Sequence, residues 1–189
     1  MTIKTFIATA LTATALTGGA AFAEAHSMEN PEVGGAPMLV ERNIIENAVN
    51  SADHETLVAA VQAAGLVETL SGEGPFTVFA PTDDAFAALP EGTVDDLLKP
   101  ENKDQLTKVL TCHVVAADAM SDAIRGMIDD DNGAHPVSTV GGCELTATYD
   151  GDAIMIEDEN GNVANVTIAD VKQSNGVIHV IDAVLLPKM

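Results

Sequence analysis

The stretch Gly74-Pro75-Phe76-Thr77-Val78-Phe79-Ala80-Pro81-Thr82-Asp83-Asp84-Ala85-Phe86 limits what this chain can fold into more than any other. Phe76 to Phe79 is a run of β-branched and aromatic residues, long enough for a short strand. Pro81 closes it, because proline brings no N–H to a sheet ladder and holds Ala80 extended. Thr82 or Asp83 then offers a side-chain oxygen to an orphan N–H in the first turn of a helix. Asp83 and Asp84 put negative charge where the helix dipole favours it. Ala85, Phe86 and Leu89 make an apolar stripe, and Pro90 stops the helix. The block therefore predicts a strand, a sharp corner and a short helix.

Helical spacing dominates around this block. Ile44, Ile45 and Val49, then Leu57, Val58 and Val61, recur at three-four intervals between Leu39 and Gly74. Ser51 or Asp53 can cap the second of these segments, and Gly65 can end it in a left-handed conformation. Leu66, Val67 and Leu70 make a further short turn. Thr93 to Leu98 predicts a short helix, and Asn102 to Thr111 one with Leu106, Val109 and Leu110 inward. His113-Val114-Val115 reads as extended. Asp118 or Ser121 opens a last helix that ends by Ile128, before the acidic loop Asp129 to Gly133.

From His135 the period changes to two. Strands are predicted at Leu145–Tyr149, Ala153–Ile156, Val163–Val171, Val177–Val180 and Ala183–Leu186. Turns fall at Gly141-Gly142, Asp150-Gly151-Asp152, Asn160-Gly161 (a type I′ pair) and Ser174-Asn175-Gly176. Helices come first and antiparallel hairpins follow, which is the order of an α+β fold.

The 189 residues suit one domain plus a targeting segment. Lys4 precedes a stretch, Phe6 to Ala23, that has no acidic residue and ends in Ala21-Phe22-Ala23. This reads as a signal peptide over residues 1–23, with Ala23-Glu24-Ala25 a second possible cleavage site. Its Thr, Gly and Ala make it too weakly apolar for a membrane anchor. No later stretch is apolar enough to span a membrane, so a secreted or periplasmic monomer is expected. Residues 24–38, with Pro31, Gly34, Gly35 and Pro37, suggest a flexible leader, and residues 39–189 the domain. The formal net charge of −21 argues against DNA, RNA or anionic lipid as partners, since those need basic stripes. It favours solubility, a salty habitat, or weak attraction of cations and basic partners.

Candidate chemistry is sparse. Secretion would permit a disulfide between Cys112 and Cys143, the two cysteines, although sequence alone does not place their Cβ atoms. Closing a loop of about 30 residues would be worth roughly 3–4 kcal/mol on the chain-entropy model. Cys112 beside His113 raises the question of a thiol nucleophile, but neighbours entering a strand point to opposite faces. A structural His113 is the better expectation, as is a buried, satisfied His179 in its alternating strand. His26, His54 and His135 make no zinc spacing with the cysteines. The loops Asp129 to Gly133 and Glu157 to Gly161 lack the glutamate that an EF-hand needs six residues after its glycine; Thr139 and Thr167 stand there. No cofactor, metal or catalytic set is expected.

The run Thr77-Val78-Phe79-Ala80-Pro81-Thr82-Asp83 with Ala85-Phe86 resembles the first signature block of the fasciclin (FAS1) family. Asn175-Gly176-Val177-Ile178-His179-Val180-Ile181-Asp182, then Val184-Leu185-Leu186-Pro187, resembles the second. Between them, Leu110 to Val115 resembles the family's Tyr-His element, with Cys112 where a tyrosine usually sits. The resemblance covers residues 40–188. It implies a wedge of two β-sheets flanked by small helices, and an extracellular adhesion or matrix-binding module without enzymatic activity. Thr77, Phe79, Pro81, Thr82, Asp83, His113, Asn175, Gly176, His179 and Asp182 are then structural signature residues. A Cys112–Cys143 bridge would replace the anchoring that the tyrosine gives. Asn102, Lys103 and Asp104 open a run similar to one proposed for integrin contact in animal fasciclin domains, and are candidate partner contacts. A surface protein or polysaccharide is the expected partner; the alternative is an acidic, cation-binding or stress-related envelope protein.

Overall fold

In the computed structural model, which describes residues 30–188, the fold begins with a hairpin of β1 (Glu32–Val33) and β2 (Ala36–Pro37). The expected leader is therefore folded from this point: Val33, Ala36 and Met38 are buried in the core. Gly34 makes the packing possible. It has φ +59°, and a Cβ there would come within 2.4 Å of Ser51 Oγ and 2.6 Å of the Asp53 nitrogen. The proposed signal peptide, residues 24–29 and Met189 lie outside the described residues.

The helices follow where their apolar spacing put them. They are α1 (Ile44–Ala48), α2 (Glu55–Ala64), α3 (Val67–Leu70), then after β3 (Phe76–Pro81) α4 (Asp83–Ala87) and α5 (Thr93–Leu97). A 3₁₀ turn, Pro100–Asn102, leads into α6 (Lys103–Cys112), β4 (Val114–Val115) and α7 (Ser121–Asp130). The last helix outruns its predicted end at Ile128. Asn132 takes φ +60° and the Asn132 and Gly133 N–H groups return to Asp129 and Ile128 carbonyls, a Schellman closure that carries the acidic residues into the final turn.

The remaining strands are β5 (His135–Ser138), β6 (Glu144–Asp150), β7 (Ala153–Glu157), β8 (Val163–Gln173) and β9 (Gly176–Ile181). Ala183 to Leu186 forms no strand. Its N–H groups are taken elsewhere: Leu185 donates to His113 and Leu186 to Asp158. The Asn160-Gly161 turn also differs from expectation. Asn160 is not at positive φ; Gly161 (φ +84°) alone is, and Gly161 N–H returns to the Asp158 carbonyl. That is a type I turn followed by a left-handed glycine, so type I′ geometry is absent.

Seven strands make one sheet in the order β4-β3-β9-β8-β7-β6-β5. The expected antiparallel run holds from β5 to β9, but β9 then lies parallel to β3, with Phe76 opposite Gly176 and Pro81 opposite Ile181. The two signature blocks are thus neighbours. Gly74 and Gly176 sit where these backbones converge; a Cβ would come within 1.9 Å of Asn175 O and 2.0 Å of Phe76 O respectively. The two layers implied by the resemblance are continuous through β8, whose register shifts at Val166/Ile168 and Ile168/Val171 bend the sheet.

Each strand side faces its own core. Val78 and Ala80 of β3 join Ile178 and Val180 of β9 beneath α1, α2, α4 and α6. Phe79 and Ile181 point the other way, into a cluster with Ile128, Leu145, Ile156 and Leu185. Around this second core the sheet curls until its ends meet. Val140, just past β5, donates to Val114 of β4, and Gly141 donates to Thr111. The Cys112–Cys143 disulfide lies at this seam, with Cα atoms 5.4 Å apart. Gly141 is obligatory there, since a Cβ would come within 2.8 Å of the Cys112 nitrogen.

Candidate functional site

The signature residues spend their polar atoms on the main chain. Thr82 caps α4, its Oγ1 accepting from Ala85 N–H at 3.3 Å. Asp83 caps a different helix: its carboxylate accepts from Thr56 N–H (2.8 Å) and Glu55 N–H (3.3 Å) at the start of α2, where Ser51 and Asp53 were the expected caps. Burial alone would raise the Asp83 carboxyl; these N–H groups and nearby His54 outweigh it and hold it below the usual carboxylate range. Thr77 Oγ1 donates to Ala117 O and accepts from Ala119 N–H. Asn175 ties three elements together. Its Oδ1 accepts from Ile44 N–H, and its Nδ2 donates to the Leu70 and Gly72 carbonyls. Asp182 accepts from the main chain and side chain of Asn165.

The histidines follow the same pattern. Cys112 ends α6 rather than entering a strand, and its sulfur is bonded to Cys143. His113, the residue after it, is fully enclosed: Nδ1–H donates to Val109 O at 2.8 Å, and Nε2 accepts from Leu185 N–H at 2.9 Å. Burial drives its pKa down to about 4, against smaller opposing effects of the Val109 carbonyl and Asp158. His179 stacks 5.8 Å from Phe79 between ring centres. Its Nε2–H donates to Ala119 O, and its Nδ1 accepts from Asp170 N–H. Burial lowers its pKa as well. Neither ring is placed against a nucleophile.

Asp170 shows a role that periodicity missed. It has φ +61° in the β8 irregularity, and its carboxylate accepts from Ser121 N–H (2.7 Å) and Oγ–H at the start of α7. A strand residue thus caps a helix that has no cap of its own. A lone aspartate in an apolar alternation is the one sequence signal of it.

A concavity of about 710 Å³ forms a groove at the starting ends of β3 and β9. Glu73, Pro75, Asp118 and Ser174 are exposed on its rim, Lys172 and Asn175 lie along its wall, and it is open, with polar and apolar surface in near-equal measure. Its shape suits a chain-like or surface ligand.

The fasciclin domain model matches residues 52–187. The chain belongs to the fasciclin family. A Synechocystis protein, Protein sll1483, is 50% identical over 77% of this chain and 74% of its own length. The cell surface glycolipoprotein MPB83 of Mycobacterium bovis is 33% identical over 86% of this chain and 69% of its own. The fold matches the FAS1 domain pair of the insect cell adhesion molecule Fasciclin I, with TM-score 0.68 and 17% identity over 77% of this chain and 51% of that one.

In this fasciclin domain the acidic loops are built for structure. Asp158 is buried, and its carboxylate accepts from Asn160 N–H, Asn162 N–H, Asn162 Nδ2 and Leu186 N–H. Burial would raise it, and these donors together bring it below the usual carboxylate range. Among the described residues no three His, Cys, Asp or Glu side chains are grouped to hold a metal ion. Nor is any described helix long and apolar enough to cross a membrane. Asn102 donates to the Asp96 carbonyl, Lys103 and Asp104 are exposed in the first turn of α6, and Leu106 is core.

Proposed function

We propose that this fasciclin domain is a secreted or periplasmic binding module, exported by the segment 1–23, that attaches as a monomer to a cell surface, matrix polymer or partner protein. The observation that carries this reading is where the polar groups go. The signature side chains Thr77, Thr82, Asp83, Asn175 and Asp182 are engaged with main-chain groups inside the fold, so they hold surfaces in place and leave recognition to exposed loops. The groove rimmed by Glu73, Asp118, Lys172 and Ser174 is the surface assigned to the partner. Relatives named for cell adhesion and for the cell surface agree with this role. Among the described residues, those that raised the question of catalysis are otherwise occupied: Cys112 is bonded, and His113 and His179 are engaged by main-chain groups.

The test is capture of partners from the source organism's envelope by the purified domain, beside a Glu73→Lys, Asp118→Lys double variant. Binding to envelope polysaccharide or protein that falls at least about tenfold in the variant supports the reading. Equal capture by both moves recognition off the groove, and no capture by either, with unimpaired attachment of a deletion strain, overturns adhesion.

A further inference from the structure

The open end of the curled sheet encloses a second concavity of about 200 Å³, different in character from the groove. Its walls are Phe79, Ile124, Met127, Val137, Ala147 and Ile156, with Val115 and Ala119 toward the mouth. Val115, Ala119, Met127 and Val137 pack on the second core yet remain half-exposed, so that core opens to solvent here. The bonds that close the sheet are gathered at one end of the seam: Val140 to Val114, Gly141 to Thr111, and the disulfide. At the other end Val115 and Ala117 stand across the cavity from His135 to Ser138, and the seam gapes.

Three features make this more than loose packing. Protein interiors contain few voids larger than a water, and a dry apolar cavity of about 150 Å³ is enough to take benzene. The void beneath His54 in the helical half, by contrast, is about 30 Å³. Three of the wall positions, Ala117, Ala119 and Ala147, carry a methyl where a larger side chain would fill the space. Among the polar side chains of the wall, Thr77 Oγ1 bonds the main chain of Ala117 and Ala119 and His135 Nδ1 bonds Asp131, and the lining as a whole is mostly apolar. The cavity therefore selects by shape and apolarity. Asp131 bonds His135 of the wall, and Asp118 and Asp122 lie near wall residues in sequence, in a chain of net charge −21, which disfavours an anion.

We propose that this cavity is a binding site for one small, uncharged, apolar molecule about the size of one or two fused rings, entering between β4 and β5 under α7. The proposal is independent of the adhesion reading, because groove and cavity share no residue.

Indole is the probe, with indole-3-carboxylate as its anionic counterpart, followed by amide and methyl NMR of the purified protein. Saturable shifts confined to Ile124, Met127, Val137, Ala147 and their neighbours, with the carboxylate at least about tenfold weaker, are expected. Val137→Phe fills the cavity from β5 and weakens indole by at least about tenfold; if that variant fails to fold, Ala119→Leu fills it from the mouth. Indole that shifts no wall residue, shifts that do not saturate, or undiminished binding by a folded filled variant overturns the site. Equal binding of the two probes overturns the charge selection.

Discussion

The two cores of this domain are held shut by different means. Beneath the helices, α2, α4 and α6 pack on one side of β3 and β9, and polar side chains cross between elements to cap one helix from another. Asn47 adds a further tie, bonding Leu39 through both side-chain atoms and also Gln173. Inside the curled sheet the closure is a seam, and it rests on a disulfide, a glycine with no room for a methyl, and the ring of His113. The void beneath His54 in the helical half is about 30 Å³, whereas the one inside the curled sheet is about 200 Å³. The ties of the helical half are distributed over many elements, whereas those of the curled half are concentrated and leave the rest of the seam free.

The largest effect should come from the seam. Replacing both cysteines by alanine is expected to cost roughly 3–4 kcal/mol in urea unfolding, as for a loop of this size. Native-state hydrogen exchange should then show faster opening in β5, β6 and β7 than in α2 and α6. Equal loss in both halves would mean that they unfold as one unit and would break the comparison.

Next is acidity. His113 is neutral in the fold down to about pH 4, while an unfolded histidine takes up a proton near its ordinary value. Below that ordinary value the unfolded state binds more protons, so the stability due to His113 is intact at neutral pH. It falls between about pH 6.5 and pH 4 by about 3 kcal/mol, with His179 acting in the same direction. His113→Gln should flatten this part of the profile while lowering stability at pH 7, as measured by denaturation at stepped pH. The Asp83 and Asp158 carboxylates, held low, add a separate loss at more acid pH.

A smaller effect is expected on the helical side. Asn175→Ala strands the Ile44 N–H and the Leu70 and Gly72 carbonyls, and should cost roughly 2–3 kcal/mol. Asp83→Ala removes only the α2 cap, about 1 kcal/mol, and should show first as fraying of Glu55 and Thr56 amides. If Asp83→Ala proves as costly as the loss of the disulfide, the ties of the helical half are concentrated after all.

The sequence announced the elements better than their pairing. Three-four spacing located α2 and α6, Gly65 marked a helix end, and Pro81-Thr82 marked the corner into α4, because those signals are local. The parallel pairing of β3 with β9 was not readable, since nothing local distinguishes it from one more hairpin. The same limit applies to caps supplied across space. Asp83 was expected to serve its own helix and serves α2, and Asp170 gave no helical signal at all. The hairpin β1–β2 was hidden by composition, since Pro31, Gly34, Gly35 and Pro37 look like linker although Gly34 is required for close approach. Of the two concavities nothing was foreseen, because each is lined from several segments far apart in the chain.

The parallel pair also dictates an order of events. β3 is made early, and the strand that completes its far edge ends at Ile181. Val171, Ile178, Val180 and Val184 are part of the core under the helices, so the N-terminal half has no finished interior to collapse onto until the last tenth of the chain is synthesised. Contacts across such separations close slowly. A chain built this way completes its interior only when β9 has been made, whatever local helix forms before it.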